Sequence, residues 1–385
     1  MKRTYLDYAS TTPTDPAVAA AMQPYLTGIF GNPSNAHSFG KEARKAVEAA
    51  RRSVAGLIGA KTHEIVFTSG GTESNNTALK GVAHANRSRG NHIITSSIEH
   101  HSVLGSCEFL ESTGCSVTYL PVDPEGMVDP ESVLKAITPK TILVSIMHAN
   151  NEIGTIQNIA EIGKLAREKG ITFHTDAVQT VGHIPVNVDS LNVDMLSASA
   201  HKFYGPKGVG FLYIRLGTRF SPFMHGGMQE KSRRASTLNV PGIAGMGKAA
   251  EIASGGLGEE MLYVTLLRDR LIKGIGDSIS RAHLNGHPSL RLPGNVNYSF
   301  ENVEGELLLQ HLDEEGIACS SGSACSADSS GPSHVLTAIG LSSELIAGSL
   351  RISLGKYVKE DDIDYFLEVL PEAIKKVRSL TEVIE

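Results

Sequence analysis

The sequence predicts an α/β fold in which a mostly parallel sheet is sandwiched by helices, next to a smaller α+β domain. As far as Gly255, short β-branched and apolar runs alternate with amphipathic helical segments, the pattern of right-handed βαβ crossovers. Beyond Gly255 the helical segments are longer and the strand-like runs fewer, and the 385 residues exceed what one hydrophobic core usually holds. We therefore predict a large domain over 13–256 and a small domain formed by 1–12 and 257–385, although sequence alone leaves open which domain the first residues join.

The individual elements follow from the spacing of apolar residues. In Lys41–Gly59 apolar side chains recur on one helical stripe, with arginine and glutamate opposite. Ala160–Lys169 also reads as a helix, and Gly170 follows it as expected at a helix C-terminus. A further helix is predicted from Glu73. The predicted strands are Glu64–Thr68, His92–Thr95, Val117–Pro121, Thr141–Met147, Ile171–His174 and Met195–Ala198.

The composition argues against several classes of function. There are 35 Lys and Arg against 41 Asp and Glu, a net charge of −6, so no basic field predicts nucleic-acid or membrane binding. The 4 cysteines form neither a disulfide framework nor a zinc-ribbon pattern, and we predict no metal site. The N-terminus lacks the apolar segment of a secretory signal. We therefore expect a cytoplasmic enzyme with reduced thiols.

Two polar segments follow predicted strands, where open α/β sheets bind ligands. Thr68–Asn76 lies between a strand and a helix, so its glycines, the helix N-terminus and the Thr72 hydroxyl could hold a phosphate. A glycine turn with a Ser or Thr cap is the alternative. Asp176 follows another strand and could hold a ring nitrogen protonated, with Gln179 one turn later near a neighbouring oxygen. An N-cap is the alternative for Asp176, and we interpret His174 as structural.

Three further side chains suit covalent or ionic chemistry. Lys202 follows a mostly apolar strand, where a desolvated amine can act as a Schiff-base nucleophile, although a surface lysine before a loop is the alternative. Cys325 lies among serine, glycine and alanine, which predicts an accessible thiol, although it could be an incidental cysteine of a linker. Arg351 lies between apolar residues of a strand-like run and could bind a carboxylate or form a cross-strand salt bridge.

Together these segments resemble the class I cysteine desulfurases of the nitrogen-fixation and iron–sulfur-cluster-assembly type. That family belongs to the class V aminotransferases, which are fold type I enzymes dependent on pyridoxal 5′-phosphate (PLP). The resemblance runs along nearly the whole chain in the family's order. The matching segments are Tyr5–Pro13, Gly31–Ser34 with His37, the Thr72 loop, Glu99–Val103, Asn150–Gln157, Asp176–Gln179, His201-Lys202, Gly226–Glu230 and the Cys325 loop.

The resemblance implies PLP as the cofactor and a role for each matching residue. Lys202 would bind PLP covalently and move protons at the substrate Cα, and His100 would stack on the ring and assist acid–base steps. Asp176 would pair with the pyridinium nitrogen and Gln179 with the phenolate oxygen. The predicted phosphate contacts are Gly71, Thr72, Ser199 and His201, with Thr237 contributed by the second subunit of a homodimer. Asn151, also assigned to the cofactor site, would hold the substrate carboxylate with Arg351.

The implied reaction converts L-cysteine to L-alanine. The Cys325 thiolate would take the sulfur as a persulfide and pass it to a sulfur-acceptor protein, a scaffold or sulfur carrier for iron–sulfur-cluster or other thio-cofactor assembly. Two alternatives are another enzyme of the superfamily, such as a selenocysteine lyase or transaminase, and a non-catalytic sulfur carrier or scaffold partner with the same fold.

The chain departs from the family pattern at three places that bear on the site. The phosphate loop has Gly71 where many relatives have alanine, a mild change. The family usually has Arg-Ser-Gly-Thr where this chain has Arg234-Ala235-Ser236-Thr237, so the turn that places Thr237 lacks its glycine. Cys319 stands where Ala or Ser is common and could act as a second thiol, although Cys325 occupies the family position.

Overall fold

The computed structural model describes residues 3–321 and 331–381. The helices of this part are α1 (Pro16–Met22), α2 (Pro24–Thr27), α3 (Ser38–Leu57), α4 (Gly71–Ala85), α5 (His101–Ser112), α6 (Pro130–Ala136), α7 (Ile159–Glu168), α8 (Gln229–Ser232), α9 (Val240–Ser278), α10 (Gly305–Glu314), α11 (His334–Ala338), α12 (Ser343–Ala347) and α13 (Glu360–Thr381). Its strands are β1 (Thr4–Tyr5), β2 (Ile65–Thr68), β3 (His92–Ser96), β4 (Ser116–Leu120), β5 (Thr141–Ser145), β6 (Thr172–Asp176), β7 (Met195–Ser199), β8 (Gly210–Ile214), β9 (Ala282–Leu284), β10 (Asn295–Phe300), β11 (Ile317–Ala318) and β12 (Ser349–Ser353). Short 3₁₀ turns lie at Thr62–Glu64 and Ala200–Lys202.

A seven-stranded sheet with the order β2-β8-β7-β6-β5-β3-β4 forms the centre of the fold. Strands β4, β3, β5, β6 and β7 pair in parallel, and β8 pairs antiparallel with both β7 and β2. The parallel strands therefore end at one edge, where ligands of open α/β sheets bind. The predicted class, a mostly parallel sheet between helices, is confirmed.

Strand side chains alternate between two apolar layers, one on each face of this sheet. Ile65 and Phe67 of β2 pack in the layer shared with α1, α3, α7 and the first part of α9. Val66 between them packs in the opposite layer, with α4 and α5. This alternation covers both faces with helices, as the near-continuous apolar strands require.

Helix α9 connects these layers to a second apolar cluster. Residues in its first half, such as Ile243 and Met246, pack against the large sheet. Residues in its second half, such as Leu267 and Leu271, pack in a cluster with β10, β12, α10 and α13. Leu6 and Tyr8 from the chain start also belong to this second cluster. The predicted boundary between 256 and 257 falls inside α9, and the division into two domains stays a prediction.

Short strand pairings place residues 4–7 beside strands from the last part of the sequence. Strands β9, β10 and β12 form a three-stranded antiparallel sheet, and β1 pairs in parallel with β11. Asp7 forms an isolated bridge with Ser353, which follows Arg351 in β12. Within the two described ranges, no helix combines the length and apolar character needed to cross a membrane.

Candidate active site

Polar residues converge where the parallel strands of the large sheet end. Asp176 is the last residue of β6 and Ser199 the last of β7, and α4 begins at Gly71 just after β2. These ends enclose a cavity of about 210 Å³. The residues that line it are Ala9, Gly71, Thr72, Asn75, His100, Ser102, Met147, Ala149, Asn151, Asp176, Val178, Gln179, Ser199, His201, Lys202 and Arg351.

Asp176 is a buried carboxylate with an acceptor role on both oxygens. Val178 N–H donates to its Oδ1 at 2.9 Å, and Asn75 Nδ2 donates to its Oδ2 at 2.7 Å. The side chain is 6% exposed. These donors hold the carboxylate in one orientation at the cavity wall, where it can face a cationic ring nitrogen.

His100 precedes α5 and caps that helix with its own ring. Ser102 N–H donates to His100 Nδ1 at 3.1 Å, and Ser102 Oγ lies 2.8 Å from the same nitrogen. Burial lowers the pKa of His100 and outweighs the opposing effect of Asp176, while Lys202 and His101 lower it further. The ring is therefore neutral at neutral pH.

Lys202 lies in the 3₁₀ turn after β7 and reaches the chain start. Its Nζ donates to the backbone oxygens of Ala9 at 2.5 Å and Ser10 at 2.8 Å. Gln179 Nε2 also donates to Ala9 O, at 3.1 Å. The chain start thus forms one wall of the cavity and holds the amine in place.

A second space of about 330 Å³ adjoins the cavity at the N-terminus of α4. It is lined by Thr11, Ser69, Gly70, Gly71, Thr72, Glu73, Ser199, His201, Lys207 and Gly208. Glu73 is already paired, since Arg234 Nε and Nη2 donate to its carboxylate at 2.8 and 3.0 Å. Burial, Lys202 and Lys207 lower the pKa of His201 to about 4, so its ring is neutral. The space suits an anion, because hydroxyls such as that of Thr72, the N-terminus of α4 and the Lys207 side chain all line it.

Arg351 is 1% exposed and brings a guanidinium to the cavity from β12. Its Nη2 donates to Asp7 Oδ1 at 2.9 Å and Ser10 Oγ at 2.7 Å, and its Nη1 to Asn151 O at 3.3 Å. Asp7 itself bridges Ser353 of β12, so the salt bridge to a neighbouring strand that the sequence left open is present, and carboxylate binding by Arg351 stays a prediction. The guanidinium therefore forms an ion pair with Asp7 and also lines the cavity.

One predicted residue of the described chain, Thr237, does not line this cavity. Thr237 is exposed and outside the lining, so its predicted contact with a second subunit stays a prediction. Cys325 lies outside the described residues. Cys319 is described, and burial beside Asp7 raises the pKa of its thiol, which disfavours the thiolate. His174 lies between Ser145 and Ser197 and not in the cavity lining.

Sequence reasoning did not assign Asn75, Ser102, Asp7 or Ser10 to the site. Asn75 follows Gly71 by one helical turn, so its helical spacing from the glycine turn could have placed it on the cavity face. Asp7 and Ser10 carry no such signal, because only the tertiary fold brings the chain start to β12. Across the described ranges, no three His, Cys, Asp or Glu side chains are grouped to hold a metal ion.

A family model described as aminotransferase class-V matches residues 4–366. The chain belongs to the class-V aminotransferase family. Among curated relatives, the cysteine desulfurase IscS of Dictyoglomus turgidum is 58% identical over 382 residues, which cover 99% of this chain and 97% of the relative. IscS of Methanosarcina thermophila is 54% identical over 380 residues, covering 99% and 94%. The predicted resemblance to this class-V branch is confirmed.

Solved structures agree with this class-V assignment. A NifS-like protein matches with a TM-score of 0.92 at 40% identity, covering 97% of this chain and all of that one (100%). SspA in complex with cysteine matches with a TM-score of 0.82 at 41% identity, covering 92% of this chain and 100% of that one.

Class-V family members use PLP, and the residues of this cavity fit that group. A Cβ on Gly71 would come within 2.7 Å of Val178 Cγ2, so glycine lets the start of α4 approach Val178 closely without a shift of that side chain. The adjoining hydroxyls and helix N-terminus suit a phosphate, and the buried Asp176 suits a protonated ring nitrogen. Lys202 supplies an amine in the same cavity.

Proposed function

We propose that this chain is a PLP-dependent cysteine desulfurase that converts L-cysteine to L-alanine and transfers the sulfur to Cys325. The observation that carries the proposal is one cavity lined by an amine, a buried carboxylate and a buried guanidinium: Lys202, Asp176 and Arg351. The first two suit PLP and the third suits the carboxylate of an amino acid. The similarity to relatives named cysteine desulfurase supports cysteine as that amino acid.

We propose the following roles for the cofactor-facing residues. When bound, PLP supplies an electron-withdrawing ring that stabilises negative charge at the substrate Cα. Lys202 holds the cofactor covalently and then moves a proton at Cα. Asp176 keeps the ring nitrogen protonated, Gln179 bonds the phenolate oxygen and His100 packs against the ring.

The phosphate and carboxylate contacts complete the proposed site. Gly71, Thr72, Ser199 and His201 bind the phosphate, and Thr237 of a second subunit adds a hydroxyl. Arg351 and Asn151 orient the substrate carboxylate, and Asn151 also contacts the cofactor. This assignment accounts for the anion-binding space beside the cavity and for the guanidinium in its wall.

The sulfur step balances without an external oxidant or reductant. The Cys325 thiolate forms an S–S bond with the substrate sulfur while the Cβ–S bond breaks, and the electron pair of that bond stays with carbon. Proton transfer to the carbon product completes L-alanine. The enzyme thiol becomes a persulfide, which an acceptor thiol can remove by exchange.

We further propose a homodimer, a sulfur-acceptor protein as partner and a cytoplasmic location. Large apolar side chains are exposed at Phe30 (70%) and Met228 (84%), as expected of a subunit interface. The described cysteines Cys107, Cys115 and Cys319 are free thiols, which fits a reducing compartment.

The division into two domains also belongs to the proposal. Residues 1–12 and 257–385 would form the small domain that brings Arg351 to the cavity.

To test the proposal, PLP-loaded protein is incubated with L-cysteine and the L-alanine formed is measured. Mass spectrometry of the Cys325 peptide then shows whether one sulfur atom has been added. Lys202→Ala should lower alanine formation by about 10³-fold and abolish the visible absorbance of covalently bound PLP. Cys325→Ser should abolish alanine formation, and Cys115→Ser, a matched thiol outside the cavity, should leave it unchanged.

Two results would contradict the proposal. Added sulfur on Cys319 with none on Cys325 would overturn the thiol assignment. Turnover of selenocysteine that survives Cys325→Ser, with no turnover of cysteine by the wild type, would identify the chain as a selenocysteine lyase.

A further inference from the structure

Hydrogen bonds connect Asp176 to His100 through two buried side chains, Asn75 and Ser102. Asn75 Nδ2 donates to Asp176 Oδ2 at 2.7 Å and to Ser102 Oγ at 2.8 Å. Ser102 Oγ in turn lies 2.8 Å from His100 Nδ1. Asn75 is 0% exposed and Ser102 is 9% exposed, so water competes little for these bonds.

The direction of each hydrogen bond follows from the groups at its ends. A carboxylate only accepts, so Asn75 must turn its amide NH₂ toward Asp176, and the second amide hydrogen then points to Ser102 Oγ. Because this hydroxyl already accepts from Asn75, its own hydrogen is available for His100 Nδ1.

The backbone fixes the same assignment independently. Ser102 N–H donates to His100 Nδ1 at 3.1 Å, and a backbone amide cannot reverse its role. A ring nitrogen that accepts two hydrogen bonds carries no hydrogen. Neutral His100 therefore has its hydrogen on Nε2.

We propose that Ser102 and Asn75 are positioning residues that fix His100 as the neutral tautomer protonated on Nε2. Ser102 satisfies Nδ1 directly, and Asn75 acts through Ser102 by orienting its hydroxyl. The Nε2–H of His100 is then the ring's donor to a ligand of the cavity. The use of this donor in desulfuration rests on the proposed function, whereas the tautomer is a property of the chain itself.

The network also links Asp176 and His100, the two side chains proposed to contact the cofactor ring. Asn75 uses both amide hydrogens, one on Asp176 and one on Ser102. A displacement of the carboxylate therefore displaces the hydroxyl that orients His100. This link explains why a fully buried asparagine lies beside the cavity, where an apolar residue would remove the amide donor to Asp176 Oδ2.

The test is ¹⁵N NMR of PLP-loaded protein labelled at histidine, with the His100 signal identified by its loss in His100→Gln. In the wild type we expect Nε2 protonated and Nδ1 unprotonated at neutral pH. Ser102→Ala keeps the backbone donor and so the tautomer, but it removes a hydrogen bond that favours the neutral ring. The pKa of His100 should therefore rise in Ser102→Ala. Asn75→Ala should also raise the pKa of His100.

Ser106→Ala is the matched control. Ser106 lies one turn further along α5, is 2% exposed and donates its hydroxyl to Ser102 O at 2.7 Å rather than to His100. The His100 titration and kcat should be unchanged in this variant. Ser102→Ala should lower kcat about tenfold with little change in KM, the loss expected for one hydrogen bond.

A wild-type His100 with its hydrogen on Nδ1, or charged at neutral pH, would overturn the proposal, and this spectrum needs no variant to fold. Equal His100 titrations in Ser102→Ala and Ser106→Ala would also overturn it. The spectra require no cysteine. If they are as expected and no alanine forms from L-cysteine, the proposed function fails while the tautomer assignment stands.

Discussion

Arg351 shows how a single buried charge can be held in place and still serve a ligand. Its guanidinium is 1% exposed, and a charge so buried requires a partner. Asp7 supplies one at 2.9 Å and Ser10 Oγ accepts at 2.7 Å from the same Nη2. Because Asp7 already offsets the positive charge, a substrate carboxylate would be bound mainly through the planar geometry of the guanidinium.

Arg351→Lys should therefore weaken cysteine binding although the charge is conserved. We expect KM for L-cysteine to rise about tenfold, equivalent to one charge-assisted hydrogen bond, with a smaller change in kcat. Steady-state kinetics of alanine formation measure both constants. Arg268→Lys is the control, because Arg268 is also buried, at 7% exposed, and contacts Asp269 and backbone oxygens outside the cavity. An unchanged KM in Arg351→Lys would mean that Arg351 does not bind the substrate.

At the scale of an element, the segment from Met228 to Thr237 is fixed by ion pairs and carries backbone strain. Arg51 donates to both carboxylate oxygens of Glu230 at 2.8 and 2.7 Å in a buried pair. The end of the segment contains Ser236 at φ 94°, a left-handed conformation that favours glycine. Ser236 thus holds, at an energetic cost, a conformation that suits the glycine expected here from the sequence resemblance.

Ser236→Gly should relieve this strain. We expect the free energy of unfolding to rise by about 1 kcal/mol, because the strain of a non-glycine residue exceeds the entropy that glycine loses on folding. Chemical denaturation measures the change. Ser53→Gly, inside α3, is the matched control and should lower stability by about 0.5 kcal/mol. A loss of stability in Ser236→Gly would show that the serine makes a contact that outweighs its strain.

The elements that the sequence predicted well are those with regular apolar spacing. The predicted strand Met195–Ala198 lies within β7, and the predicted helix Ala160–Lys169 overlaps α7 with a shift of one residue at each end. The predicted strand Thr141–Met147 is too long, because β5 ends at Ser145 and the chain then turns toward the cavity. Strand β8 was not predicted, since its apolar run follows glycines that read as a loop.

The first part of helix α9, before Gly255, was not predicted, and the reason is physical. Glycine has a low helix propensity, and α9 contains Gly245 and Gly247. The local sequence therefore does not indicate a helix there. A Cβ on Gly247 would meet Ala50 Cα at 2.5 Å, and one on Gly245 would meet Met22 Cγ at 2.7 Å. These glycines allow α9 to pack closely on α3 and α1, so tertiary contact replaces local propensity. The site shows the same limit, since Asp7 meets Arg351 only through the fold.

At the scale of the whole molecule, buried titratable groups determine how stability depends on pH. Burial raises the pKa of Glu99 from 4.5 to about 8 and that of Glu152 to about 7. Burial lowers the pKa of His174 from 6.5 to about 3 and that of His148 to about 4. Other histidines whose pKa burial lowers are His92, His100, His201 and His334.

The two kinds of group act in opposite directions. The glutamates stabilise the fold fully below pH 4.5, and this contribution is lost as pH rises toward 7 and 8, because the unfolded chain releases protons that the fold retains. The histidines contribute fully above pH 6.5, and this contribution is lost as pH falls, because only the unfolded chain binds those protons. Among these groups, the six histidines outweigh the two glutamates just below pH 6.5, and between pH 6.5 and 8 only the glutamates change stability.

We therefore expect maximal stability near pH 6.5, the ordinary pKa of histidine, with a decline on both sides. Thermal unfolding of PLP-saturated protein across this range measures the curve. Glu99→Gln should flatten the decline between pH 6.5 and 8 by about 1.4 kcal/mol per pH unit, the linkage of one proton. Glu368→Gln, at an exposed position of α13, is the control and should leave the curve unchanged. The stabilisation by bound PLP cancels when the variants are compared at equal PLP concentration. Equal alkaline slopes in Glu99→Gln and Glu368→Gln would show that Glu99 is already ionised in the folded chain at neutral pH.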